Sequence, residues 1–189
     1  GLDTKLHRII LEDVNITGFS GVGALCGYIQ IGEITNSRAS GNVVGSSNVG
    51  GIVGVSFVLI SNSKSTVNIN ASSRVGGVVG AMYIDQQTFP TTFGLSKIEN
   101  TSYAGNIVAS GQYIGGLVGL LSKVGGDESR YNRVYNCFTI ANISGNGDYV
   151  GGFFGLTDYA TDCKRCISIS TVSGLSNVNS FSTTFGSFE

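Results

Sequence analysis

The sequence predicts an all-β protein: a right-handed parallel β-helix, or β-solenoid, of about six coils with loop insertions at one corner. Three observations carry this expectation. A glycine-rich hexapeptide recurs, an Asn-bearing segment precedes it at a nearly constant distance, and no apolar 3.6-residue periodicity marks helices.

The hexapeptide comes first in the argument. It reads Val22-Gly23-Ala24-Leu25-Cys26-Gly27, Val49-Gly50-Gly51-Ile52-Val53-Gly54, Val75-Gly76-Gly77-Val78-Val79-Gly80, Ile114-Gly115-Gly116-Leu117-Val118-Gly119 and Val150-Gly151-Gly152-Phe153-Phe154-Gly155. Phe181-Ser182-Thr183-Thr184-Phe185-Gly186 stands as a degraded sixth copy, and the successive spacings are 27, 26, 39, 36 and 31. The Gly-Gly pair is expected to take φ > 0 or bend sharply at a coil corner, and to leave room for neighbouring backbone. The apolar pair after it is expected to stack along the coil axis.

The second element is the lead-in: Ile34-Thr35-Asn36-Ser37, Ile60-Ser61-Asn62-Ser63, Ile98-Glu99-Asn100-Thr101, Val134-Tyr135-Asn136-Cys137 and Cys163-Lys164-Arg165-Cys166. Six residues beyond its third position stand Asn42, Asn68, Asn106 and Asn142, with Asn15 in the first unit and Thr171 in the last. Length varies almost wholly after the hexapeptide. A coil of fixed circumference behaves this way when insertions enter at one corner. A unit of ~26 residues is too short for a strand–helix–strand crossover, which needs ~30 or more. One domain over 1–189 follows, with units near 7–32, 33–58, 59–96, 97–132, 133–161 and 162–189. Stacked coils bury a continuous core that no single coil could form.

Composition agrees. Gly numbers 29 of 189 residues but Pro only 1, which separates the chain from flexible low-complexity sequence. With 11 basic and 12 acidic residues the net charge is −1, so nothing provides the electrostatic footprint of a nucleic-acid binder. No apolar run approaches the ~18 residues of a membrane-crossing helix. The chain begins at Gly1 rather than Met, as expected of a processed chain or a piece of a longer one.

The hexapeptides at 49–54, 75–80 and 114–119, with their Ile-x-Asn-Ser lead-in, resemble the GLUG motif. The segment from Tyr135 to Gly145 is similar to its pattern, and the resemblance spans roughly residues 9–186. It implies secreted or surface-attached bacterial and protist proteins, among them adhesin-like chains and the amino-terminal regions of immunoglobulin-A-specific metallopeptidases. It marks a scaffold and implies no catalytic residue. An extracellular or cell-surface stalk, adhesin segment or filament subunit is therefore expected, non-catalytic and without cofactor.

The candidate sites follow. One His, His7, stands beside Arg8, and no His-Glu-x-x-His segment accompanies it. Four sequons mark Asn15, Asn70, Asn100 and Asn142 as glycosylation candidates. An amide ladder along Asn42, Asn68, Asn106 and Asn142 competes with glycosylation at the sequon-bearing slot members Asn15 and Asn142, because a ladder member has its amide occupied. Cys137 and Cys166 share one slot in successive units; either they are stacked core thiols or they form a disulfide, since adjacent strands lie ~4.8 Å apart. Cys26 and Cys163 take apolar slots. Cys163-x-x-Cys166 is half a zinc site with no second half, and no metal is expected. Tyr113 and Tyr149 both precede a hexapeptide; they form either an ordinary cross-strand pair or a surface for a sugar ring. The second function weighed is therefore a carbohydrate-binding module, recognising surface glycans with these tyrosines and the loops at 81–97 and 120–133. Ice binding is disfavoured by scattered Thr, and a pectate-lyase-like enzyme by sparse charge. At the ends, Ile9, Ile10 and Leu11 and then Phe181, Phe185 and Phe188 are expected to be buried against further repeats or another copy, as in a head-to-tail filament.

Overall fold

The computed structural model describes residues 4–85, 96–124, 132–158 and 161–184. Strands alternate with tight corners throughout, and no helix occurs among the described residues. Each coil carries four strands. In coil one these are Thr4–His7, Ile10–Thr17, Ser20–Gly23 and Cys26–Ile29; in coil six they are Thr161–Lys164, Ile167–Ser173, Ser176–Asn179 and Ser182–Thr184. Equivalent strands pair in parallel from coil to coil, giving four six-stranded sheets. We label them A to D in the order the chain meets them within a coil. The molecule is a parallel β-helix of six coils.

The register explains the repeat. In sheet B, Asn15, Asn42, Asn68, Asn106, Asn142 and Thr171 stand over one another. In sheet A the column Ile34, Ile60, Ile98, Val134 is wholly buried, and Val43, Ile69, Ile107, Ile143 form its counterpart in sheet B. The hexapeptide pairs Ile52/Val53, Val78/Val79, Leu117/Val118 and Phe153/Phe154 are buried in the core; Leu25 and Cys26 in coil one are half-buried. Phe138–Gly145 alternates exposed and buried residues, the two-residue period of a strand with one wet face.

Two expectations need correction. The first concerns the glycines. Positive φ falls not on the Gly-Gly pair but on the residue before the hexapeptide: Gly21 (φ 63°), Asn48 (52°), Arg74 (52°), Tyr113 (64°), Tyr149 (61°) and Asn177 (50°). A second left-handed row lies in the lead-in: Arg8 (57°), Asn36 (53°), Asn62 (50°), Asn100 (50°), Asn136 (53°) and Arg165 (54°). Asn tolerates this region better than most side chains, which accounts for the lead-in Asn. The other parts of the expectation hold: the chain bends at the second Gly of the pair, and the pair leaves room for neighbouring backbone. A Cβ at Gly77 would press into the carbonyl oxygen of Gly116 in the next coil and the ring of Tyr103.

The second correction is the phase of the last repeat. Val150 pairs with Val178 and Gly151 with Asn179, while the amide of Phe153 donates to the carbonyl of Phe181 at 2.9 Å. The Phe181 ring stacks on Phe153, centroids 4.7 Å apart and planes 8° apart. The sixth copy is therefore Val178-Asn179-Ser180-Phe181-Ser182-Thr183, three residues earlier than Phe181–Gly186.

Candidate functional site

Three linear arrays run along the axis. The first is the amide ladder on the exposed face of sheet B. Asn142 Nδ2 donates to Asn106 Oδ1 at 3.0 Å, and Asn106 Nδ2 to Asn68 Oδ1 at 3.0 Å. Sequence reasoning missed a second ladder at the left-handed lead-in corner, where Asn136 Nδ2 donates to Asn100 Oδ1 at 3.1 Å. Arg165 Nε continues it, donating to Asn136 Oδ1 at 2.5 Å. At the other end the Asn36 amide lies 3.5 Å from His7 Nδ1, which is also 2.6 Å from Thr35 Oγ1. The recurring Ile-x-Asn was the available signal. All four sequon residues, Asn15, Asn70, Asn100 and Asn142, are exposed; Asn142 donates its Nδ2 within a ladder, and Asn100 accepts through its Oδ1.

The second array is a corner ladder of hydroxyls. Ser37, Ser63 and Thr101 each donate to the carbonyl two residues earlier, at 3.0, 2.8 and 2.8 Å. Each also accepts a backbone amide from the coil before it: Ile9 to Ser37 at 3.2 Å, Ser37 to Ser63 at 3.2 Å, Ser63 to Thr101 at 3.4 Å. Cys137 and Cys166 extend the same column, the amide of Thr101 donating to Cys137 Sγ and that of Cys137 to Cys166 Sγ. All four cysteines are free thiols. Cys137 Sγ donates to the carbonyl of Tyr135 at 3.1 Å, Cys166 Sγ lies 3.4 Å from the carbonyls of Val134 and Lys164, and Cys163, paired with Val134 in sheet A, stands beside them. The neighbouring thiols, Cys137 first, hold Cys166 below its ordinary value, while the contact with Cys166 and then burial push Cys137 and Cys163 up. Burial alone pushes the half-buried Cys26 thiol up to about 11.

The third array is aromatic. Tyr113 and Tyr149 stand 5.4 Å apart at 31°, and with Tyr83 they cover a small outer cluster of Ala81, Leu120 and Leu156 on sheet D. Tyr28, Phe57 and Tyr83 make a row on the same sheet, with spacings of 5.7 and 5.5 Å. That row was not legible beforehand, because it follows the hexapeptide, where length varies. Of the loops expected to flank the tyrosines, residues 86–95 and 125–131 lie outside the described residues. Phe185 and Phe188 do so too; Ile10 is exposed, and Ile9, Leu11 and Phe181 are half-buried.

A further surface also escaped notice. Phe138, Ile140, Ile167 and Ile169 form a two-by-two apolar block on the outer face of sheet B, each at least 45% exposed. Among the described residues no group of three His, Cys, Asp or Glu side chains is placed to hold a metal ion.

The GLUG motif model matches residues 20–44. The chain carries a GLUG motif. The match runs from the sheet C strand of coil one to the sheet B strand of coil two, which is about one circuit of the solenoid. The other hexapeptides and lead-ins fall in register with this GLUG unit. Its glycines permit close coil stacking, its lead-in Asn turns a left-handed corner, and its apolar residues fill the core. No curated protein and no solved structure matches the chain.

Proposed function

We propose that this solenoid is a non-catalytic structural or adhesive element outside the cell, a segment of a surface stalk or a subunit of a head-to-tail filament. The observation that carries the reading is axial continuity. Four sheets keep the same strand register from coil one to coil six, and amide and hydroxyl ladders run along parts of that axis. Any further coil, from a longer chain or from another copy, can extend the four sheets in the same register. The exposed apolar block on sheet B supplies an adhesive side, since patches of this kind mark interaction surfaces on soluble proteins. Negative-stain electron microscopy of the purified chain tests this. Uniform fibres of one-solenoid width support the filament subunit. Short isolated rods, monodisperse by light scattering at micromolar concentration, reject the filament and leave the stalk segment.

A specific observation favours a second reading, a carbohydrate-binding surface. Tyr113 and Tyr149 occupy the left-handed corner slot that Asn48, Arg74 and Asn177 fill in other coils, and the shared turn brings their rings to 5.4 Å. Their tilted pair, beside the Tyr28–Phe57–Tyr83 row, offers faces to the apolar side of a sugar ring. A glycan array decides: this reading expects saturable binding that Tyr149→Ala abolishes, and it fails if no glycan is retained.

A further inference from the structure

The hydroxyl column changes chemistry at one place. Coils two to four put Ser37, Ser63 and Thr101 at the lead-in corner; coils five and six put Cys137 and Cys166 there, with Cys163 turned in beside them. We propose that Cys166 is a thiol–disulfide exchange site, which accepts a low-molecular-weight disulfide and closes onto Cys137, stapling coil five to coil six.

The geometry supports each part. Cys137 and Cys166 are direct axial neighbours, and the amide of Ile167 donates to the carbonyl of Cys137 at 3.0 Å, which fixes the two strands at that step. Neighbouring strands place such Cα atoms ~4.8 Å apart, inside the ~4.4–6.8 Å range of disulfides. Cys166 is half-buried and within reach of a small reagent, whereas Cys137 is only 1% exposed. The thiols of Cys137 and Cys163 stand beside Cys166, whose own Sγ lies 3.4 Å from the carbonyl oxygens of Val134 and Lys164. The Arg165 guanidinium stands next to it, while Lys164 and Asp162 engage each other at 3.1 Å. The neighbouring thiols and the guanidinium hold Cys166 below its ordinary range, toward the thiolate, which is the attacking species.

The exchange runs in two displacements. The Cys166 thiolate attacks one sulfur of the small disulfide; that bond breaks, and the first small thiolate leaves and takes a proton from water. Cys137 then attacks Cys166 Sγ in the mixed disulfide, and its proton passes to the second departing thiolate. Two cysteines are oxidised, one small disulfide is reduced to two thiols, and one protein disulfide forms.

The test treats the reduced chain with oxidised glutathione, traps free thiols by alkylation and reads intact and peptide masses. The wild type is expected to lose two hydrogens and to join the Cys137 and Cys166 peptides. Cys163→Ser should still close. Cys137→Ser should stop at a glutathione adduct on Cys166, and Cys166→Ser should take up nothing at these positions. Ser already fills this slot at Ser37 and Ser63, so both corner substitutions suit the fold. Without any variant, Cys166 of the wild type should alkylate at pH 6 roughly tenfold faster than Cys26, following its thiolate fraction. Closure of Cys137→Ser at the wild-type rate would overturn the assignment of partner. Equal alkylation of Cys166 and Cys26, or no adduct and no disulfide in the wild type, would overturn the site.

Discussion

The left-handed corners show how single side chains set this fold. Asn recurs there because its short amide tolerates φ > 0 and then bonds its equivalent one coil away, so one residue serves the turn and the ladder. Where Arg165 replaces Asn, its Nε still reaches Asn136, and the array survives a change of residue type. The neighbouring Asp162 gives a prediction at this scale. Tyr135 donates its hydroxyl to the Asp162 carboxylate, and Lys164 lies 3.1 Å from it; the hydroxyl first, then the lysine, holds Asp162 below the usual carboxylate range. A depressed folded value means stability that is present above ~3.9, the ordinary Asp value, and lost as pH falls through the folded one. Tyr135→Phe should therefore lower stability near neutral pH, and the gap to wild type should narrow as pH is taken below 4. Urea midpoints measured from pH 7 to pH 3 check it. A gap that stays constant or widens on acidification contradicts the role given to the hydroxyl.

At the scale of the coil, the hexapeptide matters through distance rather than through backbone freedom. A Cβ on the third residue would point at the next coil: Gly51 at the carbonyl of Gly77, Gly77 at that of Gly116, Gly116 at that of Gly152. Gly77→Ala should consequently cost about 3 kcal/mol, near the top of the range for overpacking a close-packed interior, because both obstacles are fixed parts of the core. Gly111→Ala, whose Cβ would lie 3.0 Å from the Ser72 oxygen, should cost about 1 kcal/mol or less. Thermal or urea unfolding of the two variants separates them; equal losses would mean that the coils yield easily along the axis. The same directionality explains what was legible in the sequence. The hexapeptides are in phase because a stacked coil enforces Gly at the second position in all five and at the third in four, coil one carrying Ala24 there. The sixth was misplaced by three residues because no described coil lies beyond Ser180, so glycine is not demanded there and the pattern lapses. Phe185-Gly186 then imitated its ending. The Asn ladder on sheet B was readable from spacing alone, whereas the corner ladder depended on knowing that the lead-in Asn turns left-handed. The inward position of Cys163 was readable from its apolar slot, whereas the aromatic row and the apolar block required the register of sheets B and D, which spacing does not supply.

At the scale of the whole molecule, each coil packs mainly on its neighbours, so stability is close to a sum of coil terms and nearest-neighbour interfaces. Burial follows the same rule. Val49, Val75, Ile114 and Val150 are fully buried in one column, while Val178, the member in coil six, is 37% exposed; Ile167 and Ile169 reach 59% and 64%. The interior column of coils three and four is covered on both sides, and local opening should start from coil six and from coil one. Native-state hydrogen exchange is expected to show amide protection highest in Lys64–Ala71 and Ser102–Ala109 and lowest in Ile167–Ser173, with coil one also below the centre. Ile98→Ala, in the centre of the sheet A column, should cost about 2–5 kcal/mol and reduce protection most in coils three to five. Oxidation to the Cys137–Cys166 staple should raise protection in coil six selectively, because a bond between coils five and six acts on the outermost interface. Assembly gives a different signature, since stacking on another copy covers both ends at once. Protection that rises in coils one and six together with protein concentration would identify head-to-tail contact, whereas a gradient that is independent of concentration belongs to a single solenoid. Uniform protection across all six coils at low concentration would contradict the nearest-neighbour picture, because it requires the solenoid to open only as one cooperative unit.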